Sequence, residues 1–101
     1  MQEINLRQSF VATITTTPQL ILASREAGDN RAYLKLFNKD AANTVMFSPD
    51  IEYEAAGFST TTSGIPVAPG IEYWDQPGGV PSNAFYAWTL SGTAALSVWE
   101  G

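Results

Sequence analysis

The chain contains no cysteine and no histidine. Without cysteine there is neither a disulfide framework nor a thiolate metal site. Without histidine the commonest general base near neutral pH and the commonest metal ligand are missing. Neither a Ser-His-Asp nor a Cys-His arrangement can therefore be built. Basic residues also run out early. Residues 1–39 hold Arg7, Arg25, Arg31, Lys35 and Lys39 against Glu3, Glu26 and Asp29, whereas residues 40–101 carry seven acidic residues and no basic one. The net charge of −5 thus resides in the second half. Neutralising phosphates needs clustered Lys and Arg, so neither DNA nor RNA is expected as a partner. The balance fits an acidic exterior facing water or a basic protein. No apolar run approaches a membrane span, and Met1 to Gln8 lack the pattern of a signal peptide. Neither membrane insertion nor secretion by a standard signal is expected.

What remains is a chain of 101 residues, 45% hydrophobic, the size of one domain. It is organised around Asp29 to Phe47. Arg31, Tyr33, Lys35 and Phe37 alternate with Ala32, Leu34 and Leu36, and a period of two marks a half-buried strand. The charged set predicts that Ala32, Leu34 and Leu36 face the core, with Lys35 lying over apolar surface. Asn38 to Asn43 are rich in turn formers, and Thr44 to Phe47 resume a β-favouring run. A helix over residues 31–42, with Leu34, Phe37 and Ala41 on one face, is the competing pattern.

The other segments read the same way. Residues 1–17 are an N-terminal arm or first strand, with Phe10, Ala12 and Ile14 alternating with Val11, Thr13 and Thr15 before Pro18. Residues 18–101 form a single β-sandwich domain. Gln19 to Ala23 is a strand and Ser24 to Asn30 a loop. Asp50 to Glu54 reads as a short strand with an acidic outer face or as a structured loop. Ala55 to Gly64, small and hydroxylated, reads as an exposed loop. Pro69-Gly70 predicts a type II turn with Gly70 at the positive-φ position. Ile71 to Asp75 can form a strand, and Pro77 to Pro81 a further turn. Asn83 to Leu90 and Thr93 to Trp99 read as a hairpin joined at Ser91-Gly92. Phe85, Ala87 and Thr89 oppose Tyr86, Trp88 and Leu90, so this strand is apolar on both faces and calls for a second layer or another subunit. About eight short strands with regular turn signals predict an all-β fold, a small antiparallel β-sandwich or barrel, with a jelly-roll layout among the forms it can take.

Little in the chain suggests catalysis. Gly78-Gly79 lacks the spacing of a phosphate loop. Carboxylates are the only catalytic candidates, with Asp50, Glu52 and Glu54 on one strand face and Glu72 and Asp75 near a turn. Apposed carboxylates serve glycoside hydrolysis or calcium binding, but an acidic row at alternate positions is more often a solvated strand face. Exposed Trp and Tyr instead favour a protein interface or a sugar-stacking platform.

Six segments form a recognisable layout: Ile21-Leu22-Ala23; Asn30 to Asn38; Asn43-Thr44-Val45-Met46-Phe47; Gly64-Ile65-Pro66-Val67-Ala68-Pro69-Gly70-Ile71-Glu72-Tyr73; Ala84-Phe85-Tyr86-Ala87; and Gly92 to Gly101. This layout, over residues 19–101, resembles small virion accessory proteins of tailed bacteriophages, namely head decoration or cement proteins and related β domains of head or tail fibres. The resemblance implies a structural role without cofactor or catalysis. Copies made in the host cytoplasm would end on the virion, binding the major capsid protein on the capsid surface, commonly as homotrimers, and cementing neighbouring capsomers. Two other roles fit the same layout: a receptor- or glycan-binding phage domain, and a head-tail connector or tail component. The candidate subunit or partner interface is Trp74, Tyr86, Trp88 and Trp99. The candidate capsid-facing basic residues are Arg25, Arg31 and Lys35.

Overall fold

Alternating sequence becomes strand along most of the chain. The computed structural model of the protein describes residues 8–26, 29, 31–75 and 82–101, apart from the side chains of Trp74 and Asp75. The strands are β1 (Gln8–Ile14), β2 (Gln19–Leu22), β3 (Leu34–Asn38), β4 (Val45–Pro49), β5 (Ile65–Val67), β6 (Glu72–Asp75), β7 (Phe85–Thr89) and β8 (Ala94–Glu100), with a one-turn helix α1 (Asp50–Tyr53) after β4. The expected arm before Gln8 and the expected turn at Pro77 to Pro81 lie outside the described residues, as does Gly28 of the expected loop.

All strand pairs are antiparallel. β1 pairs with β8, β2 with β7, β3 with β6 and β4 with β5, as if one long hairpin had been folded over on itself. Two further pairings, β3 with β8 and β4 with β7, complete a first sheet of order β1-β8-β3-β6 and a second of order β2-β7-β4-β5. This is the strand order of a jelly roll, a double-sheet all-β architecture.

The topology corrects two local readings. The strand–turn–strand unit around Asn38 to Asn43 is not a hairpin, because β3 and β4 belong to opposite sheets. The same holds for β7 and β8 across Ser91-Gly92. Both connections arch over the end of the sandwich, so the consecutive strands face each other through the core instead of sharing a ladder. The first arch is built by side chains. The Asp40 carboxylate accepts hydrogen bonds from the Ala42 and Asn43 amides, and the Asn43 bond, followed by that from Ala42, holds its pKa below the ordinary carboxylate value. Buried Asn38 donates from Nδ2 to the carbonyls of Asn43 and Val67, 2.8 Å each, tying the arch to β5. At the second arch Thr89 Oγ1 donates to the Gly92 carbonyl, with Gly92 at φ +65°.

Between the sheets lies one apolar core. Ile14, Leu34, Leu36, Leu96 and Val98 from the first sheet meet Leu22, Val45, Phe47, Val67, Phe85 and Ala87 from the second. Phe47 stands edge-on to Tyr73 at 4.7 Å between ring centres, joining the layers. Leu34 and Leu36 therefore face the core as the alternation predicts. Ala32 does not; it is exposed, while Arg31 and Tyr33 are buried. Residues 31–33 precede the strand, and their backbone answers to Gly101: the amides of Ala32 and Tyr33 donate to its carbonyl, and its amide donates to that of Tyr33. The acidic stretch is also reassigned. Pro49, extended at φ −68°, closes β4, and Asp50 to Tyr53 turn into α1. The Ala68–Ile71 turn has the expected form, with Gly70 at φ +73° and the Ile71 amide donating to the Ala68 carbonyl at 3.0 Å.

Candidate functional site

The two outer faces of the sandwich differ. Over β4 and β7 the face of the second sheet is covered by the chain itself, while Leu20 of β2 stays exposed. Met46, Ser48, Tyr86 and Trp88 project from β4 and β7 away from the core, and residues 50–64 fold over them. Tyr53 stacks on Tyr86 with ring centres 4.0 Å apart, and Phe58 meets Trp88 edge-on at 5.1 Å. Trp88 Nε1 donates to the Thr60 carbonyl at 2.8 Å, and Trp88 is fully buried. The cover is held by its own hydroxyls. The Ser59 amide donates to Ser63 Oγ, the Ser63 amide to the Ser59 carbonyl, and the Ser59 and Thr61 hydroxyls bond each other. The composition that predicts an exposed loop is thus the composition of a folded lid over a second, smaller core.

The outer face of the first sheet has no such cover among the described residues. In register across β1, β8 and β3 stand Ser9, Trp99 and Lys35, followed by Val11, Ser97 and Phe37. Val11 is 57% exposed and Trp99 38%. Lys35 Nζ lies 2.9 Å from Glu72 Oε2 and 5.1 Å from the centre of the Trp99 ring. An ion pair this exposed contributes at most about 1 kcal/mol, so its use here is to hold Lys35 over the indole. Lys35, Phe37, Glu72, Ser97 and Trp99 line an open recess of about 290 Å³. The combination is an aromatic floor with one cation and one carboxylate at its side.

A third cluster sits where β1 and β8 end. Glu100 accepts from Gln8 Nε2 and Arg31 Nε, and pairs with Arg25 at 3.2 Å. Arg31 donates its remaining nitrogens to the carbonyls of Asn83 and Ala23, both at 2.7 Å, and lies over the Phe85 ring. Apart from the Arg31–Ala23 bond, which spans eight residues, these bonds join distant parts of the chain.

Of the candidate interface residues, Trp99 lies on the open face. Tyr86 is half-buried under Tyr53, and Trp88 is enclosed. Trp88 is therefore corrected from surface to interior: its second layer comes from residues 50–64. Trp74 pairs opposite Lys35 in the ladder, and its side chain lies outside the described residues. Of the basic residues, Lys35 is on the open face and Arg25 at the Glu100 cluster. Arg31, 3% exposed and bonded on every side-chain nitrogen, is corrected to a core cation that no partner can reach. Asp50, Glu52 and Glu54 do not form a strand face, and Asp50 accepts from Asn83 Nδ2. Among the described residues there is no group of three acidic side chains placed to hold a metal ion, and no helix long and apolar enough to cross a membrane. The alternation of β3 and β8 carries a signal for the open face. Nothing in the sequence marks the Glu100 cluster, because Gln8 and Glu100 are remote from each other and from Arg25 and Arg31.

Comparison with protein-family models, with curated proteins and with solved structures finds no match.

Proposed function

We propose that the chain is a structural virion protein that decorates or cements the outside of a bacteriophage capsid, seated on the major capsid protein through the outer face of the first sheet. The observation that supports a docking role is the contrast between the two outer faces. Over β4 and β7 the second sheet is covered by the chain's own residues 50–64, with Leu20 of β2 left exposed; the first sheet has no such cover among the described residues and presents Val11 and Trp99 to solvent beside half-buried Phe37. Tryptophan exposed on such a face is the residue type that dominates protein interfaces. The virion assignment itself follows from the resemblance in strand and turn layout. Lys35, already paired with Glu72, adds a charged contact at the side of this face.

The test is occupancy on purified capsids of the phage that encodes the chain. Trp99→Ala should weaken capsid binding at least tenfold, in line with about 2 kcal/mol or more for an interface hot-spot aromatic. Lys35→Glu should weaken it less and change its salt dependence. Leu90→Ala, also on an exposed apolar residue but outside this face, should bind as the parent does. Unchanged occupancy with Trp99→Ala removes the docking face from the proposal.

The recess beside Trp99 supports a second reading, a receptor- or glycan-binding phage domain, because an indole flanked by Lys35 and Glu72 can stack on a sugar and bond its hydroxyls. Binding to a glycan array that is lost in Trp99→Ala, without capsid binding, would select it.

A further inference from the structure

Each sheet of the sandwich has two edges, and three of the four are blunted. β5 is three residues long with Pro66, which has no amide hydrogen, at its centre. β2 is four residues long and carries a register shift between Leu20 and Leu22. β6 is four residues long and carries the charged Glu72, paired with Lys35. The fourth edge, β1, has none of these devices. Its seven residues, Gln-Ser-Phe-Val-Ala-Thr-Ile, run in unbroken register against β8 and contain neither charge nor proline. Among the described residues its other side has no backbone partner. Long, regular, uncharged edges pair with further strands unless something prevents it.

We propose that β1 pairs with β1 of a second copy of this chain, antiparallel about a two-fold axis at Val11, joining two four-stranded sheets into one of eight strands. This inference stands apart from the virion reading and would hold for any function of the chain. The middle five residues of the strand are self-complementary in this register, while at its ends Gln8 faces Ile14. Val11, 57% exposed, faces its own copy. Ser9 faces Thr13, placing hydroxyl against hydroxyl on the outer face. Phe10 faces Ala12, large against small, on the side that continues the core. No other register pairs all seven residues. The contact is isologous, so it closes at two copies and leaves no further β1 edge exposed. It also aligns the two open faces, carrying both Trp99 residues on one continuous surface. The resemblance implies a homotrimer, whereas this contact gives a dimer.

Two measurements on the full chain test it. Light scattering coupled to size exclusion over a rising concentration series should move from 10.9 kDa toward twice that mass. Val11→Asp, which sets two carboxylates face to face, should raise the dimer dissociation constant at least tenfold. Disulfide trapping reads the register. Residues directly opposite in an antiparallel pair have Cα atoms about 4.5–5.5 Å apart, within disulfide reach. Thr13 and its copy would be displaced by four residues along the strand, roughly 13 Å. With a mild oxidant Val11→Cys should therefore cross-link to a dimer and Thr13→Cys should not. A monomer at every concentration, a mass of three chains, or equal cross-linking of the two variants would each overturn the proposal, as would a dimer in which Val11→Cys fails to cross-link.

Discussion

Glu100 gathers Gln8 from β1 and both Arg25 and Arg31 from the segment between β2 and β3. Arg31 in turn satisfies two backbone carbonyls that would otherwise have lost these donors. A buried ion pair of this kind adds little net stability over an apolar replacement, yet breaking it from one side is costly, because the surviving charge stays buried. Arg31→Met should therefore cost about 3–5 kcal/mol, measured as a drop in urea midpoint at constant m. Arg25 and Gln8 remain to Glu100, which favours the lower end of that range. Glu100→Gln should also destabilise, since it removes the charge that faces Arg31 Nε at 2.6 Å. The double variant Arg31→Met/Glu100→Leu should lose less than the sum of the two single losses.

At the scale of elements, the lid formed by residues 50–64 decides how the second sheet meets water. Gly64 ends it at φ +91°, and a Cβ there would lie 2.9 Å from the Trp88 ring and 3.1 Å from the Phe47 carbonyl. Gly64→Ala should thus cost about 2 kcal/mol and increase the solvent exposure of Trp88, read by its fluorescence. Gly57 lies in the same lid with open space around its Cβ position, so Gly57→Ala should be close to neutral. The need for such a lid is legible in the sequence, since Phe85 to Leu90 carry large apolar groups on both faces. Its source is not, because Phe58 and Thr60 carry no pattern that points to Trp88. Pairing is hidden for a similar reason. Alternation in β3 and β4, or in β7 and β8, reads the same whether the strands lie side by side or face each other across a core. Leu34, Leu36 and the Pro69-Gly70 turn are legible because their signals are local. Arg31 is illegible because its partners Glu100 and Asn83 are 69 and 52 residues away.

For the molecule as a whole, the folded-over hairpin means that its most regular ladder joins residues 8–14 to residues 94–100. Little of the first sheet can form before these ends meet, because β8 sits between β1 and β3. Folding should accordingly be slow for a chain of this size, in the range of milliseconds to seconds rather than microseconds. Stopped-flow refolding followed by tryptophan fluorescence measures this directly, and a microsecond phase carrying the full amplitude would contradict it.

The same ladder sets how the molecule bears load. Gln8 and Glu100 are opposite one another, so a force applied between them peels β1 from β8 one residue pair at a time, as a zip opens, instead of shearing all the bonds together. The slider of that zip is the Glu100 cluster. Tension between the two ends of this ladder meets the Glu100 carboxylate first, and once Gln8 lets go, each following pair holds alone.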